Sequence, residues 1–218
     1  MKYYPICLDI SNRRCVVIGG GDVAERKVMR LLECGADVVV AGKKLNQKLE
    51  AMKNDGKIGH IAADYGEEYI RDAFMVIGAT DSDDVNERIY RDAGKMGILV
   101  NIVDDPARCD FILPSLFQQG DLQIAVSTGG KSPALAKRLR EEMEERYGPE
   151  YKTLLDIMGA VREKVIARGH PPEENRRLFE SLINSEILQY IREKNWKKVR
   201  KVIYDLVGEN VDIAELDR

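Results

Sequence analysis

Two hydrophobic patterns alternate along the first 104 residues of the chain. Short runs rich in β-branched residues are separated by stretches in which apolar residues recur at helical spacing. Because the runs are almost continuously apolar and helices separate them, the pattern predicts an α/β fold whose parallel sheet is covered on both faces. The predicted strands are Cys15–Ile18, Asp37–Ala41, Ile58–Ala62, Phe74–Ala79 and Ile98–Val103, and the predicted helices are Val23–Cys34, Leu45–Asn54, Glu67–Asp72 and Asp84–Lys95.

The pattern changes after Val103. The segment DDPARCDFILPS reads as irregular and then extended, DLQIAVST reads as a further strand, and Ser132 and Pro133 are suited to begin a helix. From Tyr151 onward the spacing predicts helices alone. The predicted organisation is therefore an α/β domain over residues 1–112, a small mixed region over 113–147 and an all-helical domain over 148–218.

Composition narrows the class of protein. The formal net charge of −3 over 218 residues does not suggest a nucleic-acid partner. No apolar run approaches the ~20 residues of a membrane span, and the first residues do not resemble a signal peptide, so we expect a cytoplasmic protein. The cysteines are dispersed and are expected to be reduced core residues, while two histidines make a conventional zinc site improbable; we predict no metal site. The cysteines are Cys7, Cys15, Cys34 and Cys109.

The segment VVIGGGDVAERK joins the first predicted strand to the first predicted helix. Gly19, Gly21 and Ala24 form the pattern G-x-G-x-x-A, which in a Rossmann-type fold permits a sharp turn, close approach to a pyrophosphate and helix–sheet packing. The phosphates would meet the helix N terminus at Asp22 and Val23. The alternative is a glycine turn with a structural role alone.

The end of the second predicted strand leaves the choice of cofactor open. Many NAD sites have an acidic residue there, whereas this chain has Lys43 and Lys44. The lysines could hold a 2′-phosphate, the backbone could hold the ribose, or both lysines could be solvated turn residues. Thr80 follows the fourth predicted strand, at the sheet edge where ligands bind, and Asp81 or Ser82 serves either as a helix cap or as a cofactor contact.

Asp104 and Asp105 follow the fifth predicted strand directly. A carboxylate at this edge, near a nicotinamide, is well placed as a general base, but Asp-Asp-Pro is also a common turn sequence. Neighbouring residues of an extended segment point to opposite sides, so we expect only one of the two carboxylates to face the cofactor.

A family resemblance covers roughly residues 3–145. The segments YPICLDISNRRCVVIGGGDVAERKVMRLLECGADVVV, GATD, NIVDDPARCDFILPS and AVSTGGKSPALAKRLRE, in this order, resemble the precorrin-2 dehydrogenase family, which includes stand-alone enzymes and the N-terminal module of siroheme synthases. The resemblance implies NAD-dependent oxidation of precorrin-2 to sirohydrochlorin. It also implies a homodimer formed through the region after the Rossmann domain, so that residues 113–147 would be a dimerisation region.

The resemblance also implies roles for individual residues. The catalytic aspartate falls on Asp104, and the NAD contacts fall on Asp22, Val23, Lys43 and Lys44. STGGKSP matches a second glycine loop with Thr128, and we expect substrate carboxylates to be received by this loop and by basic residues that follow it, among them Lys131 and Arg138. The alternative for these basic residues is a solvated helix face with i,i+4 ion pairs.

Two further functions remain compatible with the sequence. Some members of the family also insert ferrous iron, so a bifunctional dehydrogenase and ferrochelatase is one alternative. An NAD-binding regulatory module without chemistry is the other. Such a module would explain the glycine turn but not VDDPARCDFILPS or STGGKSPALAKRLRE.

Overall fold

A computed structural model describes residues 2–169 and 171–213 of the chain. The chain forms two compact units, with the division between Leu113 and Pro114. In the first unit, five parallel strands lie in the order β3-β2-β1-β4-β5, which confirms the predicted Rossmann-type sheet. Its strands are β1 (Arg14–Ile18), β2 (Asp37–Ala41), β3 (Gly59–Ile61), β4 (Met75–Gly78) and β5 (Leu99–Ile102), and its helices are α1 (Asp22–Glu33), α2 (Gln47–Asn54) and α3 (Asp83–Met96).

Two hydrophobic clusters cover the two faces of this sheet because successive side chains of a strand point to opposite faces. In β1, Cys15 and Val17 belong to one cluster, whereas Val16 and Ile18 belong to the other. These four side chains are almost wholly buried. Burial on both faces explains why β1 is a continuous apolar run rather than an alternating one.

Two expectations for the first unit were wrong. The helix predicted over Glu67–Asp72 is only a short 3₁₀ turn at Glu67–Tyr69, after which Ile70 is fully buried. Cys34 and Cys7 are exposed rather than core residues, although Cys15 is buried as expected. Burial raises the pKa of the Cys15 thiol to about 11, so this thiol stays protonated and packs as a small apolar group.

The second unit begins with a hairpin and continues with helices. An antiparallel pair, β6 (Ser115–Gln119) and β7 (Leu122–Val126), packs against α4 (Pro133–Arg146). The sequence indicated β7, but β6 lies almost wholly in the short stretch between DDPARCDFILPS and DLQIAVST, to which no element was assigned. The helices predicted from Tyr151 onward follow as α5 (Glu150–Ala167), α6 (Pro172–Ile183), α7 (Ile187–Arg192) and α8 (Trp196–Val207).

A third hydrophobic cluster joins helices α5 to α8. Ile157, Val161, Leu182, Ile187 and Val199 are fully buried there, and Trp196 packs against the cluster. None of the helices within the described residues is long and apolar enough to cross a membrane.

Candidate dinucleotide and acid–base site

The order of the strands fixes the position of the candidate site. The chain passes from β1 to β2 on one side, and β4 then pairs with β1 on the other side. The carboxyl ends of β1 and β4 therefore flank a topological switch point, which is where ligands bind in open α/β sheets. The glycine turn follows β1 at this point, and Ala79 and Thr80 follow β4.

Two of the three glycines are required by neighbouring backbone. Gly19 has a φ of +123°, and a Cβ atom there would lie 2.2 Å from the carbonyl oxygen of Ala79. A Cβ atom on Gly20 would lie 1.9 Å from the carbonyl oxygen of Lys44. Since these clashes involve backbone atoms, neither position accepts a side chain without displacing a strand end.

Gly21 differs from its neighbours because nothing in the fold requires glycine there. Its φ is −91°, and a Cβ atom at this position would meet no atom within 4 Å. Gly21 directly precedes the first turn of α1, where Asp22 and Val23 present backbone N–H groups. This open space at a helix N terminus is the cradle that a pyrophosphate needs, so the glycine turn fits a dinucleotide.

Asn46 connects the glycine turn to both neighbouring helices, a role that sequence reasoning missed. Its backbone N–H donates to the carbonyl oxygen of Gly20 over 2.8 Å. Its side-chain amide donates to Asp22 Oδ1 over 3.0 Å and to Glu25 Oε2 over 2.6 Å. Its Oδ1 accepts the backbone N–H of Leu49 and so caps α2. The preference for Ser, Thr, Asp or Asn at helix N-caps could have identified Asn46 as the cap of α2 from the sequence.

The two lysines after β2 lie in different surroundings. Lys43 Nζ is 2.9 Å from Asp64 Oδ1, and both side chains are largely exposed. The side chain of Lys44 makes no ion pair or hydrogen bond within the described residues, while its carbonyl group lies against Gly20. A carboxylate thus lies near the end of β2, where many NAD sites have an acidic residue, but Asp64 supplies it and pairs with Lys43.

Thr80 is held in place by the beginning of α3. Its hydroxyl lies 3.0 Å from Asn86 Oδ1, and the Asn86 amide donates to the Thr80 carbonyl over 3.0 Å. Ser82 accepts the backbone N–H of Val85 and caps α3, which favours the capping role for that residue. Thr80 therefore presents a fixed backbone at the switch point.

Asp104 and Asp105 have opposite environments. Asp104 is exposed, and its carboxylate makes no hydrogen bond or ion pair within the described part of the chain. Asp105 accepts the backbone N–H of Ala107 over 3.0 Å and the Arg108 Nε–H over 2.5 Å. Asp105 thus stabilises the turn, whereas Asp104 has the free carboxylate.

The reason for this division differs from the one expected. Asp104 is not in an extended segment, since its φ is +61°, a left-handed conformation that few residues other than glycine adopt. Asn and Asp tolerate this region better than most residues, but it still costs roughly 1 kcal/mol or more. The turn separates the two carboxylates, and strained backbone of this kind concentrates at functional sites.

Arg108 and Cys109 hold the turn that carries Asp104. The Arg108 guanidinium pairs with Asp105, with Asp83 at the start of α3 and with Glu87 on that helix. This guanidinium holds the pKa of Asp105 below its ordinary value. Cys109 Sγ lies 3.2 Å from the backbone nitrogen of Ile102 and donates to the carbonyl oxygen of Asp105 over 3.1 Å.

Lys27 is a second residue that sequence reasoning missed. It lies on α1, is half-buried and makes no hydrogen bond or ion pair within the described residues. Burial lowers its pKa, the charge of Arg26 lowers it further, and the negative charge of Asp104 opposes both. The side chain of Lys27 therefore lies within electrostatic range of Asp104 without forming an ion pair with it.

The second glycine loop lies in the other unit. Gly129 and Gly130 both have positive φ, and Thr128 Oγ1 accepts the backbone N–H of Ser132 over 3.0 Å. Lys131 makes no ion pair within the described residues, whereas Arg138 Nε lies 3.1 Å from Glu142 Oε1. Of the two basic residues, Lys131 is therefore the better placed to meet an anion.

A family model described as "Putative NAD(P)-binding" matches residues 6–115, half of the chain. The chain belongs to this family. A second model, described as "Sirohaem biosynthesis protein central", matches residues 119–146, which include the second glycine loop and all of α4. The two matches therefore account for both glycine loops.

Relatives named siroheme synthase match most of the chain. Siroheme synthase of Actinobacillus succinogenes is 42% identical over 201 residues, which are 92% of this chain and 42% of that protein. Siroheme synthase of Mannheimia succiniciproducens is 38% identical over 201 residues, which again are 92% of this chain and 42% of that protein. The chain thus spans less than half the length of these relatives. The solved structure of "SirC, precorrin-2 dehydrogenase" shares the fold, with a TM-score of 0.78 and 23% identity over 95% of this chain and 100% of that chain. The resemblance to the family that includes siroheme synthases is confirmed.

Proposed function

We propose that the protein oxidises precorrin-2 to sirohydrochlorin with NAD. The observation that carries this proposal is the exposed, unpaired carboxylate of Asp104 at the end of β5, beside a dinucleotide cradle. The relatives named siroheme synthase and the shared fold of a precorrin-2 dehydrogenase support the choice of substrate.

The residues of the cradle fit the cofactor. Gly19 and Gly21, with the N–H groups of Asp22 and Val23, would hold the pyrophosphate, and Thr80 and the backbone at Lys43 and Lys44 would line the nucleoside ends. When bound, NAD supplies a hydride acceptor. Asp104 accepts the proton that the macrocycle loses, because its carboxylate is free of internal partners and reaches solvent.

The remaining roles concern substrate binding and assembly. Thr128, Lys131 and Arg138 receive carboxylates of the macrocycle through backbone N–H groups and charge. Residues 113–147 form a dimerisation region, as Leu113 and Leu135 are large apolar side chains exposed to solvent in the single chain. The free cysteines, two of them exposed, support a reducing, cytoplasmic location.

Iron insertion is a second candidate activity. The relatives are named for siroheme, the iron complex of sirohydrochlorin, and they share the segment that contains Asp104. The same carboxylate can take protons from pyrrole nitrogens as a metal enters the ring. The protein then would act as both dehydrogenase and ferrochelatase, with iron as a substrate.

Absorbance spectroscopy tests both activities in one experiment. Purified protein is mixed with precorrin-2 and NAD, with and without ferrous iron. Oxidation gives sirohydrochlorin and reduced NAD in equal amounts, and iron insertion changes the tetrapyrrole spectrum further. Absence of NAD reduction above the protein-free rate would contradict the proposed dehydrogenase and favour a binding module.

A further inference from the structure

Lys27 lies on one flank of helix α1, and Glu25 lies on the other. Successive residues of a helix are rotated by about 100°, so residues two positions apart lie on nearly opposite sides of it. Glu25 faces α2, because its carboxylate accepts hydrogen bonds from the Asn46 amide over 2.6 Å and from the Lys48 ammonium over 2.8 Å. Since α2 lies between β2 and β3 in the chain, Lys27 is left on the flank that faces β4 and β5.

The packing of α1 brings Lys27 toward the end of β5. Val103 packs against the hydrophobic cluster that includes Ala24 and Val28 of this helix, and Asp104 directly follows Val103. Side chains of a helix tilt toward its N terminus, so the side chain of Lys27 runs toward the carboxyl edge of the sheet. The glycine turn and the carboxylate of Asp104 lie at this edge. The negative charge of Asp104 acts on Lys27, in agreement with this position.

The charge of Lys27 is unpaired within the described residues. The side chain is half-buried, and Asp104 lies within electrostatic range but does not form an ion pair with it. The acidic residues at the start of α1, Asp22 and Glu25, are both held by the amide of Asn46, on the side of the helix that faces α2. An ammonium group that is partly removed from water is costly unless it gains a partner, so this flank favours a negative ligand.

We propose that the ammonium group of Lys27 binds a carboxylate of the tetrapyrrole and so positions the macrocycle against Asp104. This inference rests on the proposed function, because it concerns the same substrate at the same site. An anchor to one side of the base fixes how the ring is turned, and such orientation brings the reacting carbon to the carboxylate. Lysine suits this role, since its ammonium group is a compact charge on a flexible stem. Lys27 is thus a positioning residue that takes no part in hydride or proton transfer.

Binding of sirohydrochlorin to the full chain tests the inference without turnover. The oxidation removes hydrogen and leaves the carboxylates in place, so the product presents the same anions as the substrate. Its dissociation constant is measured by titration, followed through the absorbance of the tetrapyrrole. Lys27→Met should weaken binding by about tenfold or more, as the loss of a charge-assisted hydrogen bond does. Lys27→Arg should restore most of the affinity, because it retains the positive charge.

Arg26→Met is the matched control. It removes the neighbouring positive charge of the same helix, but Arg26 is exposed and lies away from the buried face, so the affinity for sirohydrochlorin should be unchanged. Lys27→Met should retain its affinity for NAD in calorimetry and its native circular dichroism signal. In turnover, Lys27→Met should raise KM for precorrin-2 more than it lowers kcat, a split that a merely structural role would not produce.

Three results would overturn the inference. The first is unchanged affinity for sirohydrochlorin in Lys27→Met. The second is equal weakening by Lys27→Met and Arg26→Met, because bulk charge would then account for the effect. The third is loss of NAD affinity alone in Lys27→Met, which would assign Lys27 to the cofactor. Failure of the proposed function gives a different result: the wild type would bind sirohydrochlorin through Lys27 but would not reduce NAD with precorrin-2.

Discussion

Arg108 holds Asp105 through an Nε–Oδ2 contact of 2.5 Å and thereby leaves the neighbouring carboxylate, that of Asp104, free. The two aspartates are adjacent in sequence, yet Asp105 is hydrogen-bonded within the turn, whereas Asp104 is exposed and has a left-handed backbone conformation. We therefore expect Arg108 to act as a positioning residue for Asp104. This relationship leads to the first prediction.

Arg108→Gln should lower kcat for NAD reduction more than it raises KM for precorrin-2, because the turn loses its ties to Asp83, Asp105 and Glu87. The pKa of Asp105, which Arg108 lowers, should rise toward its ordinary value in this variant. The stabilisation by this pair is present above an unfolded pKa near 3.8 and is lost as pH falls through the folded pKa. Carboxyl resonances followed against pH measure the shift. An unchanged Asp105 titration would contradict the assignment.

Gly21 and Gly20 should respond differently to substitution. Gly21→Asp places a negative side chain in the open space where the pyrophosphate is expected, so calorimetry should show loss of NAD binding while circular dichroism retains the native signal. Gly20→Ala is the contrast. Its Cβ would lie 1.9 Å from the Lys44 carbonyl oxygen, so it should destabilise the fold by roughly 1–3 kcal/mol. Full NAD affinity in Gly21→Asp would show that the turn has only a structural role.

Asn46→Ala should weaken both folding and NAD binding. It removes the cap of α2, worth about 1 kcal/mol, and the amide donor to Asp22 and Glu25. Hydrogen bonds from Lys48 and then Asn46 lower the pKa of Glu25, so their stabilisation is lost as pH falls through that lowered pKa, and part of this acid dependence should disappear in the variant. Asn195→Ala removes the equivalent cap of α8 and should leave NAD binding intact. Equal effects of both variants on NAD affinity would contradict a specific role for Asn46.

The ion pair between Lys43 and Asp64 bears on the choice between NAD and NADP. We expect the wild type to bind NAD at least as tightly as NADP, since Asp64 neutralises one of the two lysines. Asp64→Asn should improve NADP affinity by a few-fold, the range of an exposed pair, and change NAD affinity less. Calorimetry with both cofactors decides the point. A wild type that strongly prefers NADP would assign Lys44 to the 2′-phosphate.

The sheet was predictable because strands that are buried on both faces consist of continuous apolar runs, which are visible in the sequence. Local sequence patterns gave the wrong element, or no prediction, where contacts between distant parts of the chain determine the structure. The segment at Glu67 was expected to be a helix, but it only closes a 3₁₀ turn before Ile70 enters the core. The requirement for glycine at position 20 arises from Lys44, which approaches from the end of another strand.

The candidate site was predictable in position but not in detail. The glycine pattern and the two aspartates were expected at the carboxyl edge of the sheet, and the structure has these residues directly after β1 and β5. The contacts of Asn46 with α1 cannot be read from spacing, because they join residues distant in sequence. The spacing likewise gives no sign of the left-handed conformation of Asp104. Lys27 escaped notice for the same reason, since only the fold brings α1 and the end of β5 within electrostatic range.

The rate of NAD reduction with precorrin-2 in Asp104→Asn and Asp105→Asn tests the proposed function and its base together. Asp104→Asn retains the size of the side chain and should retain NAD affinity, but turnover should fall ~100- to 10,000-fold, the usual cost of losing a general base. Asp105→Asn should cost far less, because Asp105 acts through the turn. Normal turnover by the Asp104 variant with an inactive Asp105 variant would transfer the catalytic role to Asp105, and full activity of both would contradict a catalytic aspartate in this segment.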